Sequence, residues 1–430
     1  MSFIESDHEL SRHSYYAATA HAAQSHAPLA GSVHCDVAVV GGGLAGLTAA
    51  LELAERGLDV VLLEARELAA GASGRNGGQA IHGLACSQDV VEKQLGLDDS
   101  RRIWDMSIEA IDILRERIAK HSIDCDWRDG FLGVATSPRK SRELAEWAER
   151  IARDYDYPMT TIPATEMGRW IDSRRYHGGI HDPRSGHLHP LKYSLGIARA
   201  AAAAGVRIFE KSPVVSLTQG PVACLATPQG RVHAKQVLLA GNVYLQGLAP
   251  QLERRIMPVG TYIVCSQRLP RSLADSLIPS RSAVCDTDVV LSYFRTTDDD
   301  RMLFGGRVSY STKTPANLNE SMRERMVEVF PSLAGARIEF AWGGFVDITM
   351  NRAPDFGRLA GNVYYLQGFS GHGLALTGLA GRVVAEAISG DAGRFDLFAR
   401  LRHRPFPGGS LLRTPMLVLG MAWYRLKDLL

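Results

Sequence analysis

A chain of 430 residues, 46% hydrophobic and 22% charged, is long enough for two domains with separate cores and too apolar to be disordered. Its 48 basic and 46 acidic residues leave a net charge of +2, which gives no electrostatic reason to bind nucleic acid or an anionic surface. Six scattered cysteines (Cys35, Cys86, Cys125, Cys224, Cys265, Cys285) lack metal-ligand spacing, no stretch reaches the ~20 apolar residues of a membrane span, and the N-terminus lacks the order of a signal peptide. Free thiols in a reducing cytoplasm and no metal are therefore expected.

In chain order, residues 1–34 are polar and aperiodic and are expected to form an arm lying on the surface. Asp36–Val40 is a short β-branched strand, followed by Gly41, Gly43 and Gly46 in the spacing G-x-G-x-x-G, a helix from Leu44 to Arg56, and a second strand, Asp59–Glu64. Gly41 permits a tight turn, Gly43 leaves bare backbone for a pyrophosphate, and Gly46 lets the helix pack on the strand. Unpaired amides at the helix start, at Leu44 and Ala45, favour an anion, and Glu64, 21 residues after Gly43, is placed for ribose hydroxyls. This unit predicts a Rossmann-like dinucleotide site. The segment after Glu64, through Ala65 and Arg66 to Ala72, Ser73, Arg75, Asn76, Gly77 and Gly78, offers further donors for the dinucleotide; with its N-terminal position it favours FAD over NAD.

A helical stripe of Ile103, Met106, Ile108, Ile111 and Leu114 follows between about Val90 and Lys120, then two short strands joined by a turn at Asp129-Gly130. Ser141–Tyr155 is a charged helix packed on one face, entered by Ser137-Pro138. His177–Pro190 is read as a turn-rich linker with four histidines, of which His187 and His189 are two apart without a carboxylate or Cys companion, which argues against a metal. An alanine-rich helix from Pro190 closed by Gly205, a strand at 206–209, and a hairpin around Pro228–Gly230 ending in Gln236–Asn242 come next. From Ile256 extended runs argue an antiparallel sheet backed by a helix at Leu318–Phe330. Strand 362–367, the turn Gly368–Gly373 and a helix from Leu374 then repeat the opening logic and aim a second helix N-terminus at the cofactor. Residues 411–430 form an apolar helix expected to dock on protein rather than on a membrane.

The runs Val39–Gly46, Ala72–Gly78 and Gly368–Gly373 resemble the D-amino-acid-oxidase superfamily of flavoproteins, and the chain is similar over nearly its whole length to the gamma-glutamylputrescine oxidoreductases within it. The resemblance implies an α/β fold with an FAD-binding domain of the glutathione-reductase/p-hydroxybenzoate-hydroxylase type (residues 35–88, 178–255 and 345–410) and an antiparallel-sheet substrate domain (89–177 and 256–344). It implies that Val214 or Val215 holds the adenine edge, that Gly241 lies beneath the nucleotide, and that Gly371, His372, Gly373, Leu374 and Thr377 face the cofactor. The implied reaction is oxidation of an amine, with imine hydrolysis and reoxidation by O2 or another acceptor. Where glycine and D-amino-acid oxidases carry a carboxylate-clamping arginine, this chain has Asp347, which suits an ammonium group or a plain turn. Arg307 is placed for a distal carboxylate, His372 for the active site or the turn, and Tyr262, Tyr293 and Trp342 for the pocket wall. Thr349, Met350 and Asn351 hold no cysteine, so the FAD is expected to be non-covalent. The oxygen-activating lysine of sarcosine oxidases has no counterpart at Met302–Phe304. A D-amino-acid, glycine or sarcosine-type oxidase, a dehydrogenase and a flavin-bearing sensor remain alternatives.

Overall fold

The structure is a computed structural model that describes Asp7, Leu10 and residues 13–20, 24–245, 247–288, 290–309 and 317–407, with the side chains of 307–309 outside the description. The helix expected at 411–430 lies outside the described residues.

Two sheets organise the chain. In the first, Val363–Gln367, Gly230–Leu239, Gly31–Val40, Val60–Leu63 and Arg207–Phe209 run parallel in that order, with Asp355–Ala360 antiparallel on one edge. Continuous apolar runs suit strands covered on both faces. Val37 and Val39 face the helices Leu44–Glu55, Leu97–Lys120, Pro190–Ala203 and Gly373–Ile388, while Ala38 and Val40 face a layer containing Leu225, Leu245 and Leu252. The expected hairpin is present as Ala223–Ala226 paired with Gly230–Leu239.

The second sheet runs Ile338–Thr349, Ile256–Ser266, Met302–Ser309, Tyr293–Thr296, Ala283–Asp286, Arg128–Val134, Gly178–His187 and Gln79–Ala80, with Thr160–Pro163 beside Gly178–His187. It is antiparallel except where Ala283–Asp286 meets Arg128–Val134. The helix Leu318–Val329 packs Met322 and Met326 on its back, and Ile263, Cys265, Leu303 and Trp342 form the opposite face.

Four expectations are corrected. The N-terminal arm is superficial only in part: residues 24–34 are mostly exposed, but Tyr15 and Tyr16, in the helix Tyr15–Thr19 capped by Ser14, are buried against Trp342 and Leu303, each burial contributing roughly 1.5–3 kcal/mol. The long helix is two, Gln88–Leu95 and Leu97–Lys120, broken at Gly96 with φ 85°. Asp129-Gly130 lies inside one strand as a bulge, where a Cβ on Gly130 would sit 2.2 Å from Ser282 Oγ. His177–Pro190 is mostly the strand Gly178–His187, so the chain re-enters the first layer near Leu188 rather than at 178; likewise Ile338–Thr349 stays in the second sheet beyond 345.

Candidate functional site

The first glycine turn sits at the carboxyl end of Gly31–Val40, in the middle of the parallel sheet. Gly41 has φ 112°, and a Cβ there would lie 2.6 Å from the Ala240 carbonyl oxygen, so only glycine lets the neighbouring strand end pass. A Cβ on Gly46 would lie 1.9 Å from Gly41 O, the close helix–strand contact that the spacing predicts. Leu44 begins the helix, and its amide donates to Ser73 Oγ at 2.8 Å, so the second glycine loop caps the first. Glu64 accepts from Gly42 N at 2.7 Å and Arg66 N at 2.8 Å; burial raises its pKa and these amides oppose that.

The second loop is folded by its own side chains. Asn76 Nδ2 donates to Ala72 O and Ser73 O, and its Oδ1 accepts from Gly78 N at 2.8 Å. Trp342 Nε1 donates to Arg75 O at 2.9 Å. The Tyr293 ring lies between Gly77 and Gly305, where a Cβ would approach it to 2.8 Å and 2.1 Å. Tyr293 and Trp342 therefore converge on this loop from the second sheet. Tyr262 does not: strand alternation turns it to the rear core with Val264 and Phe304. The register sets Arg307 opposite Tyr262, and its side chain lies outside the described residues.

The third turn follows Val363–Gln367, two strands from the first. Gly368 and Gly371 take φ 78° and 87°, and the helix Gly373–Ile388 runs back beside Leu44–Glu55 so closely that a Cβ on Gly381 would lie 2.6 Å from Thr48 Oγ1. Thr48 Oγ1 donates to Thr377 O at 2.9 Å across this crossing. Both helices thus present their N-termini at the carboxyl edge of one parallel sheet, the position at which open α/β sheets bind nucleotides. Val215 donates its amide to Ala226 O at 2.8 Å and is exposed, and Gly241 packs on Leu245.

Two residues read as catalytic are committed elsewhere. The Asp347 carboxylate accepts from the amides of Gly368 and Phe369, so it braces the third turn instead of facing a substrate ammonium. Burial pushes its pKa up to about 6 against those donors. His372 Nε2 lies 2.9 Å from His82 O and 3.2 Å from Ile81 O, so it carries the proton and ties the third turn to the end of the second loop. Burial lowers its pKa to about 4, and it is neutral at physiological pH.

Two buried charges beside the second loop were missed by sequence reasoning. Arg295, 3% exposed, donates to Gly77 O at 2.9 Å, Leu188 O at 3.0 Å and the Tyr16 hydroxyl at 3.2 Å. Burial first, and this guanidinium second, hold His187 and His189 down to about 3, so both are neutral; His187 meets Arg281 O and His189 accepts from Lys192 N. The second is Asp7, described below. The Phe-Arg pair within an alternating strand was the only local signal for Arg295, and its burial follows from pairing that a single strand does not reveal.

The arrangement fits FAD. Bare backbone at Gly41 and Gly43, helix starts at Leu44 and Gly373, the carboxylate of Glu64 and the donor-rich Ala72–Gly78 loop gather at one sheet edge, and a Cβ on Gly43 would meet Ser73 Oγ at 3.0 Å. The cysteines are all free, and among the described residues no group of His, Cys, Asp and Glu could hold a metal and no helix is long and apolar enough to cross a membrane.

Known proteins agree. The family model described as DAO, FAD dependent oxidoreductase, matches residues 36–387. The gamma-glutamylputrescine oxidoreductase of Escherichia coli K12 is 43% identical over 96% of this chain and 98% of its own length. A probable oxidoreductase, OrdL, of Haemophilus influenzae is 40% identical over 93% and 94%. Among solved structures, glycine oxidase from Geobacillus kaustophilus superposes with TM-score 0.74 at 21% identity, covering 86% of this chain and 100% of that one. L-proline dehydrogenase from P. horikoshii gives 0.71 at 19% identity, over 87% and 98%. The chain belongs to the DAO family of FAD-dependent oxidoreductases.

Proposed function

We propose that this enzyme oxidises the carbon–nitrogen bond of an amine, gamma-glutamylputrescine or a related polyamine derivative, with O2 as the terminal acceptor. The observation that carries the reading is the 43% identity, over almost both full lengths, to an enzyme named for that substrate. FAD, when bound without a covalent link, supplies the acceptor for the hydride leaving the amine-bearing carbon. The imine that remains takes up water and divides into an aldehyde and an amine or ammonia, and the two electrons reduce O2 to H2O2.

The protein's own part is positioning and exclusion of water. Trp342 and Tyr293 wall the second loop, Asn76 fixes its shape, and Asp347 and His372 hold the third turn against it. A neutral His372 whose Nε2 proton is already donated to two carbonyls leaves little acid–base machinery, which suits a substrate taken up as the free amine. The described part of Ile338–Thr349 after Trp342 carries no arginine, a composition that favours an amine over an α-amino acid.

Anaerobic mixing with a panel of amines and amino acids tests this. Rapid bleaching of the bound flavin by gamma-glutamylputrescine, and slow bleaching by glycine, sarcosine and D-amino acids, is expected. Fast bleaching by an α-amino acid alone would overturn the substrate class. Fast bleaching followed by slow recovery in air would replace O2 with another acceptor, as the missing lysine counterpart at Met302–Phe304 allows.

A further inference from the structure

Three groups from separate parts of the cofactor-binding layer converge on one carboxylate near the N-terminus. Asp7 is completely buried; its Oδ1 accepts from Arg75 Nη1 at 2.7 Å, and its Oδ2 accepts from Arg66 Nη2 at 2.9 Å and from the Tyr244 hydroxyl at 2.7 Å. Arg66 lies two residues past Glu64, Arg75 stands inside the second glycine loop, and Tyr244 follows Gly241. The contacts interlock further. The Arg66 guanidinium lies 5.5 Å from the centre of the Tyr244 ring, and that ring packs on Gly71, where a Cβ would come within 3.2 Å. Arg75 Nη1 also reaches Gly343 O at 3.4 Å, and Gly343 N donates to Leu10 O at 2.9 Å, so the arm is stitched to the strand that carries Trp342.

Among the described residues, Asp7 is the only carboxylate within 4 Å of either guanidinium group. Two guanidinium groups brought this close repel each other, and a buried charge stripped of its partner destabilises strongly. One carboxylate between two guanidinium groups relieves the repulsion and leaves a surplus of a single positive charge, the right sign for an anionic dinucleotide. None of the three partners is near Asp7 in sequence.

We propose that Asp7 is a positioning residue of the cofactor site, which fixes Arg66 and Arg75 so that the first and second glycine loops hold the dinucleotide together. This rests on the FAD reading above. The N-terminal arm is then a working part of the site.

The test is titration of apoprotein with FAD, followed by quenching of flavin fluorescence, and the rate of flavin release after dilution. Asp7→Asn should bind FAD at least tenfold more weakly, Asp7→Glu should recover most of that loss, and Tyr244→Phe, which keeps every charge, should release flavin several-fold faster. If Asp7→Asn binds FAD as tightly as the wild type while melting lower, Asp7 only stabilises the fold and the inference is wrong. Tighter binding would make Asp7 a competitor of the dinucleotide and refute it equally. Should Asp7→Asn fail to fold, an unchanged release rate in Tyr244→Phe decides against it. Wild-type protein that takes up no FAD would instead remove the proposed function, so the two failures are distinct.

Discussion

Glu52 joins the two helices whose starts frame the cofactor site. Its buried carboxylate meets Arg56 of its own helix at 2.6 Å, Arg117 of Leu97–Lys120 at 2.7 Å and Arg382 of Gly373–Ile388 at 3.1 Å. Burial acts to raise its pKa, yet Arg117, Arg56 and Arg382 together outweigh that and hold it at about 2 instead of an ordinary 4.5. A drop of that size corresponds to about 3 kcal/mol of stability at neutral pH. Glu52→Gln should therefore lower the thermal midpoint at pH 7 by about 3–6 °C, taking roughly 1–2 °C per kcal/mol for a chain of 430 residues. The sign with pH follows from the depressed value: the contribution is complete above about pH 4.5 and is lost as pH falls towards about 2, so the gap between wild type and variant must close over that window. Circular-dichroism melts of both apoproteins at pH 7, 5, 4 and 3 measure it. A gap that is the same at pH 7 and pH 3 would show that packing, not charge, holds the helices together.

Three further outcomes follow from the site. Asp347→Asn should leave the amine KM within about twofold and speed flavin release several-fold, because the lost bonds belong to the turn; a raised KM with normal flavin binding would restore the ammonium role. Since burial holds Asp347 up at about 6, its ionisation opposes folding, and the wild type should gain stability relative to that variant as pH falls from about 6 to 4. Ser73→Ala removes the acceptor of Leu44 N and should weaken FAD binding by roughly three- to tenfold in the same titration, about 1 kcal/mol for a lost cap. Gly381→Leu drives a side chain into Thr48 and the Ala49 backbone and should lower stability by about 1–3 kcal/mol or more, read as a lowered urea midpoint.

The dinucleotide unit was legible because its signals are local. Three glycines, an apolar run and an acid at fixed spacing determine a turn, a helix and two strands within 30 residues, and Gly41 and Gly46 meet backbone contacts that forbid a side chain. Gly178–His187 was not legible: its glycines, histidines and proline read as a linker, and it is a strand because Arg128–Val134 and Thr160–Pro163 pair with both its sides. The same limit hid the arm, whose tyrosines have no periodicity and are buried only by a face assembled from distant strands. Tyr262 was identified by residue type, whereas its direction depends on which face of Ile256–Ser266 turns towards the first sheet. Asp347 was read as suiting an ammonium or a plain turn, and its partners, the Gly368 and Phe369 amides, were hidden because the sequence does not say that the Gly368 turn folds over it.

Gln79–Ala80 is a two-residue strand of the second sheet that begins one residue after the last glycine of the Ala72–Gly78 loop. Half of the loop's anchorage therefore belongs to one layer and half to the other, and His372 ties the same segment back from the far end of the chain. A fragment holding only the parallel layer would keep its first helix and turn yet lose the register of this bridge. A competent site therefore needs both layers in place at once, since neither alone supplies all the contacts that shape the loop.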